Sequence, residues 1–481
     1  MEWLARIFRK RKDAHPRSAQ VFFTNSLSGN KGLFIPQRLG IVSMYSCGPT
    51  VYSRAHIGNL RSFVFSDTVA RVLTAAHYHV RRIINITDVG HLVSDADEGE
   101  DKMAVGAVRE HTTPEVIADR YTKLFIEDLS DLNVNTDDIR FPRATDYIKE
   151  QIALAKTLEE KGFAYRLTDG LYFDTQKFPN YGGLGGLSGA HLAAGARVHM
   201  VAGKRHPSDF VLWRTAKPND LQQWDSPWGR GNPGWHIECS AMIRSLLGQE
   251  IDIHTGGEDL AQIHHNNEIA QSEAASGRTF VHYWMHSAFL TMNGEKASKS
   301  LGNVVYLSDI IEKGFDPLAL RYFFLQAHYR TPLSFSWDAL AGAAEALSRL
   351  RRIARNIAEE SVRKEASSEA RERFLVLVRD DLATPQALAA LWDSLKSEDY
   401  APEEKWGLLK DADMHFGLLL THLPLNEADL PKEIREMLAR REAARAAKDF
   451  VVADRLRNEI EHGGYRVEDG SDGPALTKIA P

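Results

Sequence analysis

The sequence contains very little cysteine. Only two cysteines, Cys47 and Cys239, occur among 481 residues, which excludes a disulfide framework. The N-terminus lacks the apolar core of a secretion signal. We therefore expect a cytoplasmic protein whose two thiols stay reduced and are available for a metal.

Long apolar runs and a strong excess of one charge are also missing. No hydrophobic stretch reaches the length that crosses a bilayer, so no membrane partner is expected. The net charge of -6 does not indicate a protein that binds nucleic acid through its overall charge. Any contact with RNA must come from local basic patches. The basic segment 1–20 is expected to be a tail or, alternatively, a helix that contacts RNA or a membrane surface.

The pattern of apolar residues predicts an α/β protein of several domains. Strands and helices alternate early in the chain, with a strand at Ile41–Ser46, a helix at Gly58–Ala76 and a strand at His79–Ile86. This alternation resumes near residue 233 and predicts a Rossmann-like doubly wound parallel sheet, interrupted by an α/β connective insertion and followed by helices. The predicted units are an N-terminal tail (1–20), the first half of the Rossmann domain (21–135), the insertion (136–232), the second half (233–305), a linker (306–336), a helical bundle (337–422) and a small C-terminal domain (423–481).

Two smaller predictions concern the local structure. The polar, acidic segment Ser94–Lys102 is expected to be a loop. Thr384 is expected to be the N-cap of a helix whose first residue is Pro385.

The two cysteines have candidate partners for a metal. His264 and Glu268 are four residues apart in a predicted helix, so both project from one face. Two cysteines, a histidine and a glutamate can form a tetrahedral zinc site. His265 is an alternative ligand, roughly 100° around the helix. Both cysteines could instead be small buried residues without a metal, and the pattern alone leaves these alternatives open.

Two short motifs at the predicted crevice of the sheet indicate a nucleotide. His56-Ile57-Gly58-Asn59 opens the first helix, and Lys296 and Lys299 lie in a small, doubly charged loop. Taken singly, these are a helix start and a solvated loop. Taken together, the two ammonium groups suit the charge that develops on phosphates during displacement at an α-phosphorus.

A glycine pair offers further contacts for the same nucleotide. Gly256 and Gly257 follow a predicted strand and would allow the backbone to approach an adenine closely. Asp259 could accept hydrogen bonds from the ribose hydroxyls.

These segments resemble the cysteinyl-tRNA synthetases, a family of class I aminoacyl-tRNA synthetases. The resemblance extends from about Val21 to the C-terminus. Its most specific parts occur in order along the chain: Cys47–Tyr52 joined to His56–Asn59, then Gly234–Ser240, then His264–Glu273, and finally Lys296–Asn303.

The resemblance implies a set of roles for these residues. One zinc ion would be bound by Cys47, Cys239, His264 and Glu268, which selects His264 over His265, and the substrate thiolate would bind this zinc. Thr87 and Trp235 would flank the substrate L-cysteine. His56, Lys296 and Lys299, with Asn59, would contact the phosphates of ATP, which Mg²⁺ accompanies. The product would be cysteinyl-tRNA-Cys, made through a cysteinyl-adenylate by a protein expected to be a monomer.

Three positions depart from the family pattern. Asn59 replaces a histidine, although its amide can still donate a hydrogen bond to phosphate. Ala297 replaces a methionine, which predicts a looser lysine loop. Asn266 replaces an acidic residue between the two helical metal ligands.

Clusters of basic residues in the C-terminal helices are candidates for binding tRNA phosphates. Their members fall in the first bundle helix and the last helical hairpin: Arg349, Arg351, Arg352, Arg355, Arg435, Arg440, Arg441, Arg445 and Lys448. Two other functions remain alternatives. One is a ligase that joins cysteine to an aminosugar, which would resemble only the catalytic half. The other is a non-catalytic synthetase-like RNA-binding protein, which Asn59 and Ala297 favour.

Overall fold

A computed structural model of the chain describes most of its residues. The described residues are 19–90, 92, 101–184, 203–218, 220–292, 295–296, 304–422, 430–447, 449–470 and 473–478. Predictions about the N-terminal tail, Ala297, Lys299 and Lys448 lie outside this part of the chain. None of the helices in the described ranges is long and apolar enough to cross a membrane.

The strands form one central parallel sheet and several smaller antiparallel or mixed ones. In chain order the strands of the described residues are β1 (Phe22–Thr24), β2 (Lys31–Leu33), β3 (Ile41–Ser46), β4 (His79–Ile84), β5 (Ile139–Arg140), β6 (Ala164–Leu167), β7 (Gly170–Phe173), β8 (Phe210–Thr215), β9 (Gly231–Pro233), β10 (Ile251–Gly257), β11 (Val281–Ser287), β12 (Leu290–Met292), β13 (Glu295–Lys296), β14 (Leu333–Phe335), β15 (Tyr465–Gly470) and β16 (Gly473–Lys478).

The helices cover this sheet and then dominate the second half of the chain. In chain order they are α1 (Ile57–Ala75), α2 (Lys102–Arg109), α3 (Pro114–Asp131), α4 (Ile148–Glu160), α5 (Trp235–Leu246), α6 (Glu258–Gln262), α7 (His264–Ser276), α8 (Leu307–Glu312), α9 (Pro317–Leu325), α10 (Trp337–Glu360), α11 (Glu369–Arg379), α12 (Thr384–Lys396), α13 (Pro402–Phe416), α14 (Lys432–Ala446) and α15 (Phe450–His462).

The central sheet confirms the predicted doubly wound architecture. Its five strands are parallel and lie in the order β11, β10, β3, β4, β5. β3 has an apolar, buried sequence because it lies near the middle of the sheet with structure on both faces. β5 belongs to this sheet and lies four residues beyond the predicted boundary at 135. The carboxyl ends of β3, β4 and β10 meet at one edge, where a doubly wound fold binds its ligand.

Two further units flank the sheet. β6, β7, β8 and β9 form an antiparallel sheet between its two halves, packed with α4, α5 and α7 around a separate apolar cluster. α10 to α13 form a helical bundle whose core is continuous with that of the central sheet. The hairpin of α14 and α15 packs with β15 and β16 around a small apolar cluster of its own.

Two local predictions were wrong. Most of the predicted loop Ser94–Lys102 lies outside the described residues, but its last residue was wrong: Lys102 opens α2, because the Asp101 side chain caps that helix by accepting from the N–H of Ala104. Thr384 is the first residue of α12 and Ala383 is its N-cap, so the helix begins one residue earlier than predicted.

Candidate active site and metal centre

The turn after β3 is pressed against the segment that follows β4. The N–H of Gly48 donates to Asn85 Oδ1 at 2.8 Å, and a Cβ added to Gly48 would lie 1.5 Å from the Asn85 carbonyl oxygen. The N–H of Thr87 donates to the Pro49 carbonyl at 3.1 Å. Only glycine fits at position 48, and this fit holds Cys47 and Thr87 at the same edge of the sheet.

The four predicted metal ligands come together at this edge. Cys47 follows β3, Cys239 lies on α5, and His264 and Glu268 lie on α7. Their ligand atoms all lie within 4.8 Å of one another. The two Sγ atoms are 4.0 Å apart, and Glu268 Oε1 is 3.6 Å from Cys47 Sγ and 3.0 Å from His264 Nε2.

A second group of ligands overlaps the first. It shares Cys47 and Glu268 and adds His254 and His265, again with all ligand atoms within 4.8 Å. His265 Nε2 is 3.3 Å from Cys47 Sγ, and His254 Nε2 is 3.0 Å from Glu268 Oε2. His265 was recognised in the sequence as the alternative ligand. His254, in the middle of β10, was missed because a histidine within a strand carries no signal that separates it from an ordinary buried residue.

Each helical histidine is oriented by another aromatic side chain. His236 Nδ1 is 2.8 Å from His264 Nδ1, and His286 Nε2 is 2.8 Å from His265 Nδ1. The Trp235 ring lies on His264, with centroids 4.5 Å apart. Such contacts fix the ring and leave its other nitrogen directed at the ligand cluster.

Burial and charge shift the pKa values of this cluster in opposite directions. Burial raises the pKa of Cys47, whereas a hydrogen bond from Cys47 lowers the pKa of Cys239 to about 6. Burial alone would raise the pKa of Glu268, but His254 and His264 lower it to about 2. Burial would likewise lower the pKa of His264, yet the Glu268 carboxylate raises it to about 10. Glu268 and Cys239 are therefore anionic donors in this cluster, whereas Cys47 and His264 would each release a proton when a cation binds.

The His56 motif forms the start of α1. His56 is the N-cap, and its Nδ1 accepts from the N–H of Asn59 at 3.3 Å. Asn59 Oδ1 in turn accepts from the N–H of His56 at 3.2 Å, which completes a capping box. Because Nδ1 is an acceptor, neutral His56 carries its proton on Nε2. The departure at Asn59 therefore has a structural role at the helix start.

The lysine segment is anchored beside this helix start. Lys296 lies in β13, which pairs with β12 in a register that joins Thr291 to Lys296. After the segment, the N–H of Ile57 donates to the Val305 carbonyl at 2.9 Å. β12 thus holds the strand that carries Lys296, and the start of α1 holds Val305 on the other side of the segment that contains Lys299.

Arg61 ties α1 to the strands on either side of the lysine segment. Its Nη1 donates to the carbonyls of Ala288 at 2.8 Å and Phe289 at 2.6 Å, just before β12. Its Nη2 donates to the Thr331 carbonyl at 2.6 Å, just before β14. The sequence did not reveal this residue, since an arginine in a helix gives no sign of the carbonyls it meets.

The glycine pair is close to other residues of the site. A Cβ at Gly256 would lie 2.9 Å from the His265 ring, and one at Gly257 would lie 2.4 Å from Asp259 Oδ1. These contacts account for both glycines. The predicted contacts with adenine, and of Asp259 with ribose, stay predictions.

The basic clusters differ in part from expectation. Arg441 is almost fully buried, so its inclusion among the candidates for binding tRNA phosphates was wrong. Arg351 donates to Asp316 at 2.6 Å and to the Leu418 carbonyl at 3.1 Å. A groove of about 970 Å³ nevertheless lies between the bundle and the C-terminal hairpin, and its basic lining consists of Arg351, Arg355, His422, Arg445, Arg457 and Arg466.

The chain is similar to known proteins over nearly its whole length. A family model described as the tRNA synthetases class I (C) catalytic domain matches residues 34–345. The cysteine–tRNA ligase 1 of Burkholderia lata is 48% identical over 451 residues, covering 93% of this chain and 94% of that protein. The cysteine–tRNA ligase of Zymomonas mobilis is 41% identical, covering 94% and 97%. That of Thermococcus gammatolerans is 38% identical, covering 95% and 98%.

Solved structures share the fold at low sequence identity. The methionyl-tRNA synthetase of Mycobacterium tuberculosis in complex with methionyl-adenylate has a TM-score of 0.55 and 17% identity, covering 80% of this chain and 91% of that one. A LeuRS–tRNA–LeuAMS ternary complex from Agrobacterium radiobacter has a TM-score of 0.59 and 12% identity, covering 80% and 85%. These likenesses concern the fold alone.

Proposed function

The chain belongs to the class I cysteinyl-tRNA synthetases, and from this premise we propose how its residues divide the work of a cysteine–tRNA ligase. The enzyme couples L-cysteine to tRNA-Cys at the expense of ATP. In the first step the cysteine carboxylate attacks the α-phosphorus and pyrophosphate leaves. In the second step a hydroxyl of the terminal ribose attacks the carbonyl carbon of cysteinyl-adenylate, and AMP leaves.

We assign selection of the amino acid to a zinc ion held by Cys47, Cys239, His264 and Glu268. The observation that carries this assignment is the convergence of the only two cysteines with the helical His–Glu pair. Zinc ligands at bond lengths of about 2.0–2.3 Å lie roughly 3.3–3.8 Å apart in a tetrahedron. Of the contacts here, 3.6 Å lies within that range, and 3.0 and 4.0 Å lie just outside it, so small side-chain shifts would bring the four ligands to a zinc ion. When bound, zinc would supply a soft Lewis acid that takes the thiolate of cysteine in preference to the hydroxyl of serine.

The residues around this centre would hold the amino acid. Trp235 lies against His264, and Thr87 lies beside the turn that carries Cys47. Both therefore stand next to the position that a zinc-bound side chain would occupy. We assign to them the orientation of the cysteine carboxylate toward the α-phosphate, since in-line attack depends on positioning.

The phosphates of ATP are assigned to the start of α1 and to the lysine segment. His56, as the Nε2–H tautomer, would donate to a phosphate oxygen, and the amide of Asn59 would add a second donor. Lys296 and Lys299 would balance the charge that grows on the leaving pyrophosphate, together with Mg²⁺. Gly256, Gly257 and Asp259 would bind the adenosine.

The tRNA is assigned to the groove between the bundle and the C-terminal hairpin. Several arginines line it, and guanidinium groups are the preferred partners of phosphate. We further propose that the enzyme works as a monomer in the cytoplasm. Its two cysteines are free thiols, which suits a reducing compartment.

The alternatives make different demands on the second half of the chain. A ligase that uses an aminosugar has no need of a tRNA-binding bundle, yet relatives named cysteine–tRNA ligase match 92–95% of this chain. A non-catalytic RNA-binding protein would have no need to keep four converging metal ligands. Neither alternative is favoured.

Cysteine-dependent exchange of pyrophosphate into ATP, followed by acylation of tRNA-Cys or of an aminosugar, tests the proposal. We expect exchange and acylation of tRNA only. Cys239→Ser should lose zinc and the preference for cysteine over serine, whereas Ser272→Ala, a matched change on α7, should keep both. Full zinc content and full selectivity in Cys239→Ser would show that the assigned centre is wrong.

A further inference from the structure

A buried ionic cluster lies on α1, away from the metal centre. The carboxylate of Asp67 accepts from Arg71 Nε at 2.7 Å, Arg321 Nη2 at 2.6 Å and Arg82 Nη1 at 3.1 Å. Asp67 and Arg321 are 1% and 0% exposed. Burial alone would raise the pKa of Asp67, but the three guanidinium groups lower it well below its usual value, so the group is a carboxylate.

Backbone carbonyls balance the excess of positive charge in this cluster. Arg321 donates from Nε to Phe416 O at 2.5 Å and from Nη1 to Leu132 O at 2.8 Å. Arg71 donates from Nη2 to Asn133 O at 2.5 Å. These carbonyls belong to the ends of α13 and α3, where helices leave acceptors without intrahelical partners and carry partial negative charge. The cluster therefore fastens two helix ends to α1.

The residue that follows the bundle helix α13 is a glycine, which lets the arginines come close to the backbone. Gly417 has a left-handed φ of 62°, and a Cβ there would lie 2.8 Å from Arg71 Cζ and 2.9 Å from Arg321 Nη2. The Gly417 carbonyl also accepts from Asn133 Nδ2 at 2.9 Å. Both the backbone conformation and the close approach require glycine at this position.

Helix α1 joins this cluster to the nucleotide end of the sheet. The same helix begins at His56, its N-cap, and Asp67 lies eleven positions after His56, which is about 16 Å along the axis. The bundle also packs on the sheet through apolar side chains. Apolar packing lets helices slide, whereas hydrogen bonds with fixed geometry define one orientation.

We infer that Asp67, Arg71, Arg82 and Arg321 form an interdomain joint that sets the angle between the helical bundle and the catalytic sheet, and so places bound tRNA against the adenylate. The inference rests on the proposed function, because it needs the bundle to bind tRNA. These side chains are positioning residues. They serve the transfer to tRNA, while activation of cysteine needs only the sheet and its motifs.

Two substitutions test the joint, one in α9 and one directly after the bundle helix α13. Arg321→Lys keeps the charge but loses the planar fork that reaches three acceptors. Gly417→Ala changes none of the arginines, but its added Cβ would displace the Arg71 and Arg321 side chains from the bundle side. Arg166→Lys is the matched control, because it makes the same change at an exposed ion pair with Glu159 on the insertion.

The test compares both reactions in the full-length, zinc-loaded enzyme. We expect both joint variants to keep cysteine-dependent pyrophosphate exchange within about twofold, while kcat/KM for tRNA-Cys falls roughly 10- to 100-fold, since small misplacement has effects of that size. The control should match wild type in both reactions. Amide hydrogen exchange at the end of α13 should quicken in both joint variants only.

The outcomes separate the joint from the function itself. The inference about the joint is wrong if both variants lose pyrophosphate exchange and tRNA charging to the same extent. It is also wrong if both variants charge tRNA-Cys as well as wild type does. If wild type itself shows no cysteine-dependent exchange, the proposed function fails, and the hydrogen exchange then decides the joint alone. If wild type is inactive, amide hydrogen exchange at the end of α13 that is as slow in both joint variants as in wild type would refute the joint.

Discussion

The two overlapping ligand groups can be told apart through the histidines that support them. His236 contacts the Nδ1 of His264, and His286 contacts the Nδ1 of His265. Only one of these pairs can support a ligand if the metal uses one group. His236→Ala and His286→Ala therefore test whether His264 or His265 binds the metal, and neither change removes a ligand itself.

The expected magnitude follows from the role of such supports. Loss of the group that orients a metal-bound histidine weakens metal binding about 10- to 100-fold, or about 1.4–2.7 kcal/mol. We expect His236→Ala to raise the zinc Kd by this factor. His286→Ala should leave the Kd within about threefold, because its partner His265 lies outside the proposed set.

Competition with a chromophoric chelator measures these Kd values without any activity assay. His79→Ala is the control, since His79 is an exposed histidine at the start of β4. Unfolding temperatures of the metal-free variants show whether a loss of zinc reflects a loss of fold. If His286→Ala instead binds zinc more weakly than His236→Ala does, the metal is held by the second group of ligands, which contains His254 and His265.

Three further predictions concern the frame of the site and the buried cluster at Asp67. Arg61→Ala should destabilise the fold by about 3 kcal/mol and slow pyrophosphate exchange roughly 10²-fold, and Arg61→Lys should have an intermediate effect. A normal exchange rate in Arg61→Ala would show that Arg61 does not position the lysine segment. Gly48→Ala should abolish zinc binding, because its Cβ meets the Asn85 carbonyl, whereas Gly342→Ala, with nothing within 4 Å, should be harmless; equal zinc binding in both would contradict this. The lowered pKa of Asp67 means that its contribution to stability is present at neutral pH and is lost as the pH falls. The difference in unfolding free energy between wild type and Asp67→Asn should be constant from about pH 8 to 5 and should become smaller below about pH 4. A difference that already becomes smaller near neutral pH would show that Asp67 is not held as a carboxylate.

The sequence carried enough information to predict the fold class and the location of the site. The apolar run at Ile41–Ser46 and the cysteine that follows it placed Cys47 at the carboxyl edge of a parallel strand. The spacing of His264 and Glu268 predicted that both would face one side of a helix. These features depend on local pattern, which a sequence displays directly.

Contacts between distant residues were beyond such reasoning. The ion pair of Asp67 and Arg321 joins residues 254 positions apart, and neither segment contains a pattern that predicts the contact. His236, His254 and His286 support the cluster from three separate elements. Arg441 was predicted to be among the contacts for tRNA phosphates, and its burial was not foreseen because burial of an arginine depends on the fold around it. Asn59 was expected to serve phosphate alone, and its role in the capping box appears only once the backbone is known.

The central claim is that the metal held by Cys47, Cys239, His264 and Glu268 selects cysteine through its thiolate. Cobalt in place of zinc makes each metal–thiolate bond visible as charge-transfer absorption. Addition of L-cysteine to the cobalt enzyme should increase this absorption, as a third thiolate joins the two of the protein, while L-serine should leave it unchanged. An unchanged spectrum with cysteine, or equal responses to cysteine and serine, would contradict the account.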